Sequence, residues 1–130
     1  MPYLNLDDNF ADHPKVEELS DAAYRLHTAS MLYCAKFTTD GYITPRQASK
    51  RPAFKASVLA ELIKSGIWHE RGQGCGTKHC PGGRDDAYLI HDYLQWNKSA
   101  EWWTNKRRKD ADRIAKWRAE NAERNEGDTA

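Results

Sequence analysis

The chain has 130 residues, 39% hydrophobic and 30% charged, and 20 Lys/Arg against 19 Asp/Glu leave a formal charge of +1. That length suits one domain with a tail, and no uncharged apolar run approaches the roughly 20 residues of a membrane-spanning helix. The start, Met1-Pro2-Tyr3-Leu4 followed by Asp7 and Asp8, lacks the basic and apolar regions of an export signal, and three cysteines cannot form a fully paired disulfide set, so a reducing cytoplasm is expected.

Leu19, Ala23, Leu26, Ser30, Tyr33 and Phe37 recur at helical steps, and Ser20 suits the N-cap. The pattern predicts a helix over residues 20–36, with Cys34 as a buried small hydrophobe on its apolar face. Thr38-Thr39-Asp40-Gly41 signals a turn, and Tyr42-Ile43 a short strand. Thr44-Pro45-Arg46-Gln47 matches a capping box with proline at the first helical position, which predicts a short helix over 45–50 ended by Arg51-Pro52. Phe54, Val58, Leu59, Leu62 and Ile63 then share one face of a helix over 54–65, with Gly66 as its left-handed terminator. Ile67-Trp68-His69-Glu70 reads as a strand, and residues 87–94, across a glycine-rich loop, as its antiparallel partner. Ser99 opens a long helix over 99–122, carrying Trp102, Trp103, Ile114 and Trp117. Residues 123–130 read as a flexible tail. The expected fold class is α+β, mainly helical: a winged helix-turn-helix over 1–98 with a β-hairpin wing, a Cys/His-bearing wing loop at 70–86, and the long C-terminal helix.

The near-zero total charge hides segregation. Residues 1–29 hold six acidic side chains against two basic ones, residues 44–64 five basic against one acidic, and residues 97–118 eight basic against three acidic. A nucleic acid responds to the local field within a Debye length of about 8–10 Å rather than to the chain average. Taken one at a time, such runs read equally as solvated helix faces.

The loop concentrates another chemistry. His69, Cys75, His79, Cys80 and His91 fall within residues 69–91, and zinc takes four nitrogen or sulfur ligands in a tetrahedron. His91 lies several residues into the returning strand, away from the loop tip. The expected ligands are therefore His69, Cys75 and Cys80, with His79 as the fourth. Zinc is the expected ion, and a flexible metal-free wing is the alternative. Strand alternation sends His91 and Asp92 to opposite faces, which leaves His91 a structural hydrogen-bonding residue. Neither a GxxxxGK[ST] phosphate loop nor an HExxH helix occurs, and no catalytic residues are assigned, so the chain is expected not to be an enzyme.

Several stretches together carry a family resemblance: Asp12-His13-Pro14-Lys15-Val16, Leu19-Ser20-Asp21-Ala22-Ala23-Tyr24-Arg25-Leu26, Thr39-Asp40-Gly41-Tyr42-Ile43, Gly66-Ile67-Trp68, Ile90-His91-Asp92-Tyr93-Leu94, and Lys116-Trp117-Arg118 in the closing basic helix. Over residues 3–118 the chain resembles small winged-helix proteins of actinobacterial phages and prophages. These are related to the N-terminal domains of phage replisome-organiser, or replication-initiation, proteins. The resemblance implies a winged-helix fold, double-stranded DNA as partner, a role in replication or transcription control, and the bacterial host cytoplasm as location. In that frame the helix over 54–65 would enter the major groove, with Lys55, Ala56, Ser57, Ala60, Glu61 and Lys64 outward. Arg46, Lys50 and Arg51 lie just upstream, the wing adds Arg71, Lys78 and Arg84, and the closing helix adds Lys106, Arg107, Arg108, Lys109 and Arg113. A helix short of Arg, Asn and Gln predicts phosphate contacts over base readout. The alternative is a phage protein that binds and modulates a host replication or transcription protein, or a second copy of itself through the Trp-bearing helix.

Overall fold

The computed structural model describes residues 2–78 and 80–129. The chain divides into two compact units, Met1–Ser99 and Ala100–Ala130. In the first, a 3-10 turn (Phe10–Asp12) precedes α1 (Pro14–Glu17) and α2 (Asp21–Phe37). Then follow β1 (Tyr42–Ile43), α3 (Pro45–Ser49), α4 (Ala56–Lys64), β2 (Trp68–His69), β3 (Tyr88–Ile90) and α5 (Tyr93–Trp96). The second unit is one helix, α6 (Ala100–Thr129). The architecture is α+β: a small antiparallel sheet in the order β1-β3-β2, packed with helices.

α2 forms where its apolar period and cap predict. The Ser20 hydroxyl accepts from the Ala23 amide at 3.2 Å. The same hydroxyl donates to Glu61 Oε1 at 2.7 Å, and the Ser20 amide donates to Glu61 Oε2 at 2.8 Å. Glu61 therefore does not stand outward from α4 as its spacing suggests. Its carboxylate braces the start of α2, where free amides and the helix dipole favour a negative group. Leu26 and Cys34 from α2, Ile43 from β1, Leu62 from α4 and Trp68 from β2 are all buried in one core. Burial pushes the Cys34 thiol up to about 11, so this cysteine behaves as a small hydrophobe. Beyond α2, Gly41 takes a φ of +90°, and a Cβ there would lie 2.6 Å from the Tyr93 Cβ, which leaves only glycine at this crossing.

Four boundaries depart from the sequence pattern. α1 was not anticipated. Its proline and the His13 ring, whose Nδ1 accepts from the Lys15 amide at 3.2 Å, start a single helical turn. α4 begins at Ala56 rather than Phe54, because Ala53 has a φ of +63° and Lys55 is still extended. The returning strand ends at Ile90 instead of reaching Leu94. Asp92, at a φ of +54°, turns the chain left-handed into α5. α6 runs on to Thr129, past residue 122 and through much of the expected 123–130 tail, where Glu123, Arg124 and Glu126 are good helix formers.

His27, buried on α2, accepts from the Trp68 indole Nε1 at 3.0 Å through Nδ1 and stacks on Phe10. It lines a cleft of about 500 Å³ that Phe10, Met31 and Tyr93 also wall. Burial holds its imidazole down at about 4 instead of 6.5. The unfolded chain therefore binds a proton between those values that the native fold refuses. Stability from this residue is complete above pH 6.5 and lost as pH falls toward 4, by about 3 kcal/mol at 1.36 kcal/mol per unit. Urea unfolding across pH 4–7 should show that decline in wild type, with a flatter profile in His27→Asn.

Candidate metal centre

β2 and β3 pair Trp68 with Ile90 and His69 with Leu89, and the His91 amide closes the ladder on the Ile67 carbonyl at 2.9 Å. In that register His69 and His91 are diagonal neighbours on one face of the hairpin, within reach of each other. Their rings meet edge-on, with His69 Nε2 and His91 Nδ1 2.8 Å apart.

The loop between the strands is folded, although almost every side chain in it is polar. The Gln73 amide donates to the Glu70 carbonyl at 3.0 Å, the Gly83 amide to the Gln73 carbonyl at 2.9 Å, and the Gly72 amide to the Arg84 carbonyl at 2.9 Å. A Cβ on Gly82 would lie 2.6 Å from the Gln73 carbonyl oxygen, and one on Gly83 would overlap the Glu70 carbonyl. The two glycines allow the loop's arms to touch, and the contact carries both cysteines back over the histidines. Gly83→Ala should therefore push the arms apart. Mass spectrometry under native conditions should find its zinc occupancy cut by more than half at limiting metal.

The result is a cluster of His69, Cys75, Cys80 and His91 whose ligand atoms all lie within 4.8 Å of one another. Cys75 Sγ is 3.6 Å from His91 Nδ1. In a zinc tetrahedron, ligand atoms stand about 3.3–3.8 Å apart, given Zn–S near 2.3 Å and Zn–N near 2.0–2.1 Å. A small adjustment, with the two histidine nitrogens moving apart from 2.8 Å and the widest pairs drawing in, meets that geometry, and a two-nitrogen, two-sulfur set suits zinc. His69, Cys75 and Cys80 are the three ligands expected from the sequence. His79, the expected fourth, lies outside the described residues. His91 joins those three instead, because the returning strand ends at Ile90 and its register with β2 sets His91 diagonally across from His69.

Each ligand sits in a distinct field. The Thr77 hydroxyl, 2.7 Å from Cys75 Sγ, and then the Thr77 amide hold that thiol below its ordinary value. Cys80 is buried, which pushes its thiol up, while the amides of Asp92 and Gly82 pull it down. Cys75 Sγ also accepts from the Thr77 amide, two positions on, at 3.5 Å, an arrangement that favours thiolate. Burial, then the neighbouring His91, keep His69 below its ordinary value, so it stays a neutral donor. Two thiolates would balance a divalent cation, which makes the buried charge affordable. Cys34 takes no part, since its Sγ contacts the Tyr42 carbonyl at 3.6 Å.

Asp92 completes the surroundings. Its Oδ2 lies 3.0 Å from His91 Nε2, so the alternation that sent the two side chains apart does not hold beyond the strand's end.

The cations expected to meet DNA fall into two groups. In the first unit Arg46, Lys50, Lys55, Lys64, Arg71, Lys78 and Arg84 are exposed, and among the described residues none of them forms an ion pair. Arg51 is half-buried. Its guanidinium lies 4.8 Å from the Tyr33 ring centre and its Nε donates to the Gln47 carbonyl, so it is engaged in packing. Arg84 lies 3.8 Å over the Tyr42 ring and Arg71 6.0 Å from that of Tyr88, which lays both guanidinium groups of the β2–β3 loop against the sheet's tyrosines. In the second unit Lys106 and Arg113 share Asp110 at 3.3 and 3.8 Å, while Arg107, Arg108 and Lys109 are exposed. No protein-family model, curated protein or solved structure matches the chain.

Proposed function

We propose that this chain is a phage-type winged-helix protein that binds duplex DNA, mainly through phosphate contacts, and that zinc staples its wing. The observation that carries the reading is the order helix, strand, helix, helix, strand, strand with the sheet order β1-β3-β2. That order makes α3 and α4 a turn-linked helix pair and the β2–β3 hairpin a wing. α4 would be the groove helix. Its exposed positions Lys55, Ala56, Ser57, Ala60 and Lys64 supply cations but no bidentate reader of base edges. The sequence resemblance supports the same reading. Zinc at His69, Cys75, Cys80 and His91 would supply structural cross-linking, with every ligand position taken by protein and none left for catalysis. Fluorescence titration of labelled duplexes across a salt series tests the DNA reading, and metal analysis of untagged protein tests the zinc.

A second reading draws on α6. Ile114 and Trp117 are exposed at 45% and 62%, a large apolar area on an otherwise charged helix. Such a patch suits a protein partner, whether a host replication or transcription protein or a second copy. A pull-down from host lysate with and without nuclease separates the two readings.

A further inference from the structure

We infer that Asp92 is a positioning residue of the metal centre, holding the ligand His91 from the left-handed residue that follows it. This rests on the zinc reading above. The Asp92 carboxylate oxygen Oδ2 lies 3.0 Å from His91 Nε2. A proton fixed on Nε2 by the carboxylate leaves the lone pair of the neutral His91 ring on Nδ1. Nδ1 is the atom that faces His69 Nε2 at 2.8 Å and Cys75 Sγ at 3.6 Å. The carboxylate thus selects the ligating nitrogen and orients the ring, as outer-sphere carboxylates do at histidine-ligated metals.

At a φ of +54°, Asp92 leaves the strand while its carboxylate stays beside His91. Asp and Asn tolerate this conformation better than most residues, because their short polar side chains hydrogen-bond locally. The second carboxylate oxygen, Oδ1, is buried and has no hydrogen-bond partner among the described residues. A half-satisfied buried carboxylate is costly in a purely structural role. Beside an imidazole that shares the charge of a divalent cation, the cost is offset.

The test uses the full chain and two variants that keep the left-handed backbone. Asp92→Asn retains a neutral acceptor, and Asp92→Gly removes the side chain altogether. Zinc affinity is measured by competition with a chromophoric chelator, and cobalt(II) is loaded in parallel for its absorption spectrum. We expect both variants to bind about 10- to 100-fold more weakly, Gly at least as weakly as Asn. Cobalt bands should shift while the Trp68-sensitive fluorescence of the body stays native. Unchanged zinc affinity and an unchanged cobalt spectrum in both variants would overturn the inference and leave the zinc reading standing. No zinc or cobalt bound by wild type would remove both. His91→Ala and His79→Ala complete the set. Zinc binding lost in the first and kept in the second supports the assignment, and the reverse overturns it.

Discussion

Zinc removal is expected to unlatch the wing without unfolding the body. The hydrophobic core that joins α2, β1, α4 and β2 includes none of the four ligands, so the body retains its own source of stability. The loop between β2 and β3 has no comparable core, since among the described residues of 70–86 only Cys80 and Gly82 are buried. Its order rests on a few backbone hydrogen bonds, on Tyr42 donating to the Gly82 carbonyl at 3.2 Å, and on the ligand cluster. Chelation should therefore abolish amide-exchange protection at Gly72, Gly83 and Arg84 while leaving α2 protected. At a thousandfold excess over its Kd, a ligand of the native state contributes about 4 kcal/mol. For a unit of this size that moves Tm by more than about 15 °C. Cys80→Ser should lose the zinc and that increment together, while Cys34→Ala should keep one zinc per chain. Affinity should fall with acidification, because each thiol must lose its proton to bind. Less than about 0.1 zinc per chain in gently purified protein, with no Tm response to added zinc, would refute the staple.

The parts of this centre that were legible in the sequence were its chemistry and not its geometry. Two cysteines and several histidines in one glycine-rich loop announce a metal by composition alone. Which four meet depends on register. The pairing of His69 with Leu89 puts His91 on the ligand face, and that single relation is invisible to spacing rules. Asp92 was hidden for a related reason. Local β-propensity in Ala87-Tyr88-Leu89-Ile90-His91-Asp92-Tyr93-Leu94 draws a long strand, whereas packing of Tyr93 against Gly41 ends it early. A tertiary contact overrode the local preference.

Helix positions fared better, because caps and apolar period are local. Ser20, Thr44 and Gly66 each sit where their chemistry placed them, as N-cap, N-cap and left-handed terminator. Partners across the chain were not legible. Glu61 looked like an outward acid on a basic helix until its carboxylate met Ser20, 41 residues away. That contact changes the electrostatics of α4. With Glu61 turned to the start of α2, Lys55 and Lys64 dominate the helix's exposed face.

Duplex binding should fall steeply with salt and hardly vary with sequence. Arg46, Lys50, Lys55 and Lys64 are exposed around α3 and α4 without an ion pair among the described residues, and Arg84 is laid against Tyr42 in the wing. Five such cations neutralising five phosphates release counterions in proportion, giving a log–log slope of affinity against salt near −4.5, at about 0.9 per phosphate. Arg84→Ala should weaken every duplex alike and flatten the slope by about 0.9. Arg107→Ala with Arg108→Ala tests α6 separately. Weakening across all sequences places that helix in the footprint, and unchanged affinity removes it. The wing cations also tie DNA affinity to the metal centre. Zinc-free protein should lose the ordered presentation of the wing, and with it the Arg84 contact counted above, so its slope should drop toward about −3.6. Equal slopes with and without zinc would separate the wing from DNA. Absence of salt-sensitive binding to any duplex, in zinc-loaded protein, would refute the DNA reading itself and leave the exposed Ile114 and Trp117 face as the surface to pursue.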